Sequence, residues 1–292
     1  MSLQVLSSAS TQPWAAANWH DEPAAASVSF DSQVRGTQSQ AIDLDFAHMA
    51  QDVYLTGSTG VQGWSRLDDT ALSAAGISPD QLEDKTTGFR AAMYTDGDGH
   101  YTLAFAGSND IPDWLNNLGQ GLGLDAAQYN QAIALAKDAK LAFGDELAIT
   151  GHSLGGGLAA AAALATGSPA VTFNAAGVND NTLRRVGLDP AAAKAVADQG
   201  QIRRYAVHGE ILTGAQEGVP LLKAAMPDAP GHKIELSAPP LEKPVNHWYD
   251  WLDGVALKHQ VELGLKLAAR PVTLHLMDAV LQSLNTDRPW LH

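Results

Sequence analysis

The residues most able to do chemistry in this chain are Gly151-His152-Ser153-Leu154-Gly155. A serine with glycine two positions away on each side is the pattern of a nucleophile elbow, in which the chain leaves a strand, turns through the serine and enters a helix. Side chains at the flanking positions would meet the neighbouring strand and helix, so both favour glycine. The surroundings supply the required context. Leu147–Thr150 reads as a short buried strand, and Gly155–Ala163 as a helix of small residues, with Gly156 and Gly157 extending its close-packed surface. A helix beginning at the serine aims unpaired N–H groups at the reaction centre, where the N–H of Leu154 can hold a developing oxyanion. The chemistry expected is nucleophilic attack by Ser153 Oγ on a carbonyl carbon, with the oxyanion held at the helix N-terminus.

A second oxyanion donor is expected upstream. The apolar run Leu103-Ala104-Phe105-Ala106 ends in Gly107-Ser108, followed by Asp113-Trp114. A strand ending there can present the Ser108 N–H to the site, and loss of one such donor typically costs about 10²–10³ in turnover. The serine also needs a base, and the base an orienting carboxylate; behind an elbow of this kind the order is serine, acid, histidine. Glu210, just past an apolar run at Ile202–Val207, stands at a strand end. Asp180 and Asp228 are the alternatives, Asp180 the better placed. Of the ten histidines, six follow the serine. His208 is too close to the acid, His232 reads as a surface turn and His292 as a terminus, which leaves His247, His259 and His275. His152, the variable residue of the elbow, is expected to point away from the chemistry.

These groups must be held by a scaffold. Ala41–Tyr54 has helical apolar spacing, and Thr70–Ala75 and Pro79–Asp84 read as short helical turns. Phe89–Tyr94 and Tyr101–Ala106 read as strands joined by Asp96-Gly97-Asp98-Gly99, a hairpin signal better explained as a turn than as a calcium loop. Then follow a helix at Ala126–Ala142, a strand at Glu146–Thr150, a helix at Gly155–Thr166, a strand at Ala170–Asn174, a helix at Ala191–Asp198 and a strand at Ile202–Val207. Such alternation predicts an α/β fold with a mostly parallel central sheet and helices on both faces. Farther on come a strand at Lys233–Ser237, a helix at Trp248–Ala269 ended by Pro271, and a last helix at His275–Ser283. Residues 1–38 read as a mostly irregular segment, with Trp14 and Trp19 docking on the body, and 39–292 as one domain that includes the C-terminal helices. Asn109–Leu124 is apolar and hinged by glycine, which suits a lid or acyl-chain wall, and Trp248, Tyr249 and Trp251 suit a second apolar rim.

Composition narrows the function. With 18 Lys and Arg against 32 Asp and Glu, the net charge of −14 opposes binding to nucleic acid and to anionic headgroups, so membrane contact must rely on apolar side chains or on a cation or partner that bridges the charge. The absence of cysteine removes disulfides, thiolate nucleophiles and Cys-bound zinc. Met1–Asp21 has no basic segment followed by an apolar core, and no apolar run reaches spanning length, so export is expected without a cleaved signal, with the cytoplasm as the location before it.

An apolar strand ending in Gly-Ser, then Asp-Trp, a helix, and Gly-His-Ser-Leu-Gly-Gly resembles the class 3 lipase family, over roughly Phe89 to Val280. Within it the chain is closest to the bacterial secreted phospholipase A1 branch, on Gly63-Trp64, Thr87-Gly88-Phe89, Phe173-Asn174-Ala175-Ala176-Gly177, Gly209-Glu210 and His275-Leu276-Met277-Asp278. It departs at Ala106, where many members carry arginine. The resemblance implies an α/β-hydrolase fold and a triad of Ser153, Glu210 and His275, the base coming late at the entry to a final helix, with Leu154 and Ser108 as the oxyanion hole. It implies hydrolysis of fatty-acyl esters of phospholipids, with transient membrane contact and an accessory or immunity protein as partner. A triacylglycerol lipase or carboxylesterase is the alternative, and a non-catalytic lipid- or partner-binding protein the alternative of another class. No residue pattern requires a cofactor or a metal, and any calcium dependence stays open.

Overall fold

The computed structural model describes residues 29–108, 125–214, 227–241, 266 and 268–291. The α-helices among them are Phe30–Val34 (α1), Asp43–Asp52 (α2), Asp69–Ala74 (α3), Asp125–Phe143 (α4), Leu154–Thr166 (α5), Asp180–Arg185 (α6), Pro190–Val196 (α7), Ile211–Thr213 (α8) and Met277–Asp287 (α9); residues 268–275 are helical as well. The strands are Gly60–Val61 (β1), Trp64–Arg66 (β2), Glu83–Asp84 (β3), Phe89–Thr95 (β4), Tyr101–Phe105 (β5), Leu147–His152 (β6), Ala170–Phe173 (β7), Ile202–Val207 (β8) and His232–Leu236 (β9).

The sheet is mixed α/β in character and mostly parallel. From β6 to β9 each strand lies beside its predecessor in the chain and runs parallel to it. The antiparallel part is the β1–β2–β4–β5 edge, with β3 on β4. β4 and β5 form the expected hairpin, with Ala91 opposite Phe105 and Thr95 opposite Tyr101. Its turn uses Gly97 and Gly99 at φ 86° and 99°, and the Asp96 carboxylate accepts the Asp98 and His100 N–H groups. β1 and β3, two residues each, and the three-residue β2 are too short for alternation to reveal them.

Alternate side chains along the strands face opposite ways, and helices cover both faces. Leu103, Phe105, Leu147 and Ile149 pack with α4 and α5; Ala104, Ala148, Val171, Phe173 and Tyr205 pack with α1, α2 and α9. α1 falls inside the segment read as mostly irregular. It is tied down because Arg203 of β8, itself buried, forks onto Asp43 at 2.6 and 3.0 Å and donates to the Val34 carbonyl, while Tyr205 Oη donates to Asp43 at 2.6 Å. Trp14 and Trp19 lie outside the described residues. Pro271 does not end a helix, as the sequence suggests: residues 268–275 are helical through it, and the bend comes at Leu276, the extended N-cap of α9.

α5 explains its composition. It lies buried between the sheet and α4, and its first turn has no room for side chains. A Cβ at Gly155 would sit 2.2 Å from the Phe105 carbonyl oxygen, and one at Gly157 would sit 2.4 Å from Tyr129 Oη. Neither the oxygen nor its strand can retreat without opening β5 from β6. Gly155→Ala is therefore expected to destabilise the fold by about 3 kcal/mol or more, measured by urea unfolding; a loss below about 1 kcal/mol would mean the helix is not wedged as described.

Candidate active site

Four parallel strands end at one place, the usual location for a site in such a sheet. β6 runs straight into Ser153, which has φ 59° and ψ −128°. This left-handed region costs a non-glycine residue about 1–3 kcal/mol and is sustained only by its surroundings. They are firm here: the Ser153 N–H donates to the Phe173 carbonyl at 3.1 Å, and the Ser153 carbonyl accepts from Gly156, Gly157 and Ala176 at 3.0, 3.2 and 2.9 Å. Leu154 opens α5, so its N–H lies in the first turn and has no carbonyl four residues back to bond. Gly107, past the end of β5, is pressed against the elbow, since a Cβ there would lie 3.2 Å from Ser153 Cβ. Ser108 follows it and is half-buried. An acyl oxygen at Ser153 would thus meet the α5 N-terminus on one side and the β5 end on the other.

β8 ends in a turn at Gly209, φ 78°, that delivers Glu210. Glu210 is the N-cap of α8. Its Oε2 accepts the Leu212 N–H at 2.8 Å, and Oε1 accepts the Thr213 N–H. Oε2 also faces His275 Nδ1 at 2.6 Å, while His275 Nε2 faces Ser153 Oγ at 2.8 Å. All three side chains are buried. The carboxylate only accepts, so Nδ1 carries the proton and Nε2 presents its lone pair to the serine hydroxyl. Burial pushes the Glu210 carboxyl up, but the hydrogen bond and charge of His275, with the Thr213 bonds, outweigh it and hold the group below its ordinary value. It therefore stays a carboxylate, able to hold a protonated imidazole. A histidine held between a carboxylate and a serine hydroxyl in this way can act chemically as a general base.

Of the alternatives, Asp180 sits about half-exposed on α6 and pairs with Lys194 Nζ at 2.9 Å and Arg184 at 3.4 Å. Asp228 is exposed. His208 is exposed and pairs with Glu235 at 2.8 Å. His247, His259, Asn109–Leu124 and the Trp248–Trp251 rim lie outside the described residues. Among the described residues no group of three His, Asp or Glu side chains could hold a metal ion, and no helix is long and apolar enough to cross a membrane.

Three residues bonded to the backbone of this site escape a reading of the sequence. His152 does not point away from the chemistry. The turn begins only at Ser153, so His152 is still in β6 and shares the face of Ala148 and Thr150, beneath α2 and α9. Its ring centroid is 5.0 Å from that of His275, and its Nε2 meets the His275 carbonyl at 2.6 Å. Asn174, at φ 43° past β7, donates to the carbonyls of Leu274 and His275 at 3.2 and 2.9 Å and accepts the Val207 N–H at 2.9 Å. Tyr54, just beyond α2, contacts His152 Nδ1 at 3.1 Å and receives the Gly107 N–H at 2.8 Å. The available signal was an asparagine and a histidine at the carboxyl ends of adjacent buried strands.

Burial, with the nearby His275 charge second, pushes His152 down to about 3 from its ordinary 6.5. Between those values the unfolded chain takes up a proton that the folded one refuses. The stability involved is fully present above about 6.5 and drains away as pH falls toward about 3, at up to about 1.4 kcal/mol per pH unit. His152→Gln is expected to flatten the dependence of unfolding free energy on pH by up to one proton between about pH 6 and pH 4. Parallel curves for the two proteins in urea titrations would contradict this.

Comparison with known proteins adds the family context. The profile of the phospholipase-like family, described as a Tle-like phospholipase domain, matches residues 45–245, which span β1–β9 and include Ser153 and Glu210. The chain is also similar to a protein named extracellular phospholipase A1 from Serratia liquefaciens, 48% identical over 256 residues that cover 88% of this chain and 74% of that protein.

Proposed function

The chain belongs to the phospholipase-like family of Tle-like phospholipase domains, and on that premise we propose that it is a phospholipase A1 on an α/β-hydrolase fold, with Ser153, His275 and Glu210 as its triad. The observation that carries the reading is the continuous chain Ser153 Oγ, His275 Nε2, His275 Nδ1, Glu210 Oε2, at 2.8 and 2.6 Å, built on a strand–turn–helix elbow. The relative's name supports phospholipid as substrate and action outside the cell.

The mechanism follows from the proton positions. His275 Nε2 takes the Ser153 proton as Oγ forms a bond to the sn-1 acyl carbon, and that carbonyl's electrons move onto its oxygen. The N–H groups of Leu154 and Ser108 hold the oxyanion. The tetrahedral intermediate collapses, the C–O bond to glycerol breaks, and His275 gives its proton to the departing lysophospholipid. Water then attacks the acyl-enzyme, losing its proton to His275. The second collapse frees the fatty acid and returns the proton to Ser153 Oγ. Through both halves Glu210 stays ionised and holds the imidazolium.

The test uses phospholipid vesicles labelled separately at sn-1 and sn-2. Release of the sn-1 label with a 2-acyl lysophospholipid left behind is expected. Release confined to sn-2, or turnover of triglyceride and short esters with none of phospholipid, would refute the assignment.

A further inference from the structure

The His275 ring is held by Ser153 and Glu210, but its backbone is held too, by groups that the reaction as written does not use. The His275 carbonyl receives His152 Nε2 at 2.6 Å and Asn174 Nδ2 at 2.9 Å. A carbonyl only accepts, so His152 carries its proton on Nε2 and Nδ1 is a bare lone pair. The group facing Nδ1, at 3.1 Å, is Tyr54 Oη, which must then donate; its approach to the His152 carbonyl is longer, 3.4 Å. The lone pairs of Tyr54 Oη in turn accept the Gly107 N–H at 2.8 Å. Each proton is thereby assigned, and all run one way: Gly107 to Tyr54, Tyr54 to His152, His152 to the carbonyl of His275. Burial keeps His152 neutral, which this order of donors requires.

The two ends of the chain are telling. One is the strand end that carries Ser108; the other is the backbone of the base. We infer that Tyr54 and His152 are positioning residues that lock the catalytic histidine in register with the oxyanion-donating strand end. The inference rests on the triad reading above. Aligned hydrogen bonds polarise one another in a buried setting, and a misplacement of the base by an ångström is enough to slow the chemical step.

The experiment measures kcat and KM on phospholipid vesicles for the full chain and for Tyr54→Phe, His152→Leu, His152→Gln, the Tyr54→Phe/His152→Leu double variant and Ser153→Ala, alongside thermal midpoints and the fraction of each protein labelled by an alkyl fluorophosphonate. His152→Leu is expected to lose about 10²-fold in kcat with KM within about twofold. His152→Gln, which keeps an N–H for the His275 carbonyl, should recover most of that loss. Tyr54→Phe, the milder change, should lose about tenfold. The double variant should be no worse than His152→Leu, because the chain is already cut. Wild-type kcat in both Tyr54→Phe and His152→Leu would overturn the inference. Losses that add in the double variant, go unrescued by glutamine or simply follow the unlabelled fraction would overturn it as well. Activity persisting in Ser153→Ala would bring down the triad reading itself, whatever the relay variants do.

Discussion

Ser153→Ala is expected to lower phospholipid turnover by about 10⁵–10⁶ while leaving the fold intact. The variant removes the atom that forms the acyl bond, the hydroxyl oxygen facing His275 Nε2 at 2.8 Å. A residue of about 10³ over the uncatalysed rate should survive, from the oxyanion donors and substrate binding. Stability offers a second reading of the same position. At φ 59° serine is strained, and glycine would not be. Ser153→Gly should be equally inactive yet more stable by about 1 kcal/mol, measured by urea unfolding. A glycine variant no more stable than wild type would mean that the elbow stores no strain.

Glu210→Gln carries the second large effect, a loss of about 10⁴ in kcat. The carboxylate accepts from His275 Nδ1, the Leu212 N–H and the Thr213 N–H through its two oxygens. A carboxamide has one acceptor oxygen. Placed toward His275, it sets its NH₂ against the Thr213 N–H; turned the other way, it donates to His275 Nδ1 and forces the wrong tautomer, with the proton on the nitrogen that must accept from Ser153. Loss of the cap should also lower stability by about 1 kcal/mol. A variant within about tenfold of wild-type kcat would remove Glu210 from the triad.

Much of this was legible in the sequence, for physical reasons that differ by element. The elbow could be read because a Cβ at Gly151 or Gly155 would lie 2.2 Å from a backbone oxygen, a constraint that leaves a spaced pattern. The central parallel strands β6 and β7 could be read because each is buried on both faces and appears as a largely apolar run. Glu210 could be placed only as a strand-end carboxylate. That it also caps α8, which fixes its rotamer, depends on a three-residue helix too short to leave any period. α1 was hidden because the bonds that hold it come from far along the chain, from Arg203 to the Val34 carbonyl and from the Phe30 N–H to Glu146, rather than from its own spacing. Tyr54, His152 and Asn174 were hidden for a related reason: they form bonds spanning 53, 123 and 100 residues of chain, to Gly107, His275 and Leu274.

The central claim, that Ser153 is the nucleophile and His275 its base, is tested most directly by covalent labelling. Wild type, Ser153→Ala and His275→Ala are treated with an alkyl fluorophosphonate, digested, and mapped by mass spectrometry. One phosphonyl group per wild-type chain is expected, on the peptide containing Ser153, with none in Ser153→Ala and greatly slowed labelling in His275→Ala. Labelling on another residue, undiminished labelling in His275→Ala, or phospholipid hydrolysis that continues unlabelled and uninhibited would contradict it.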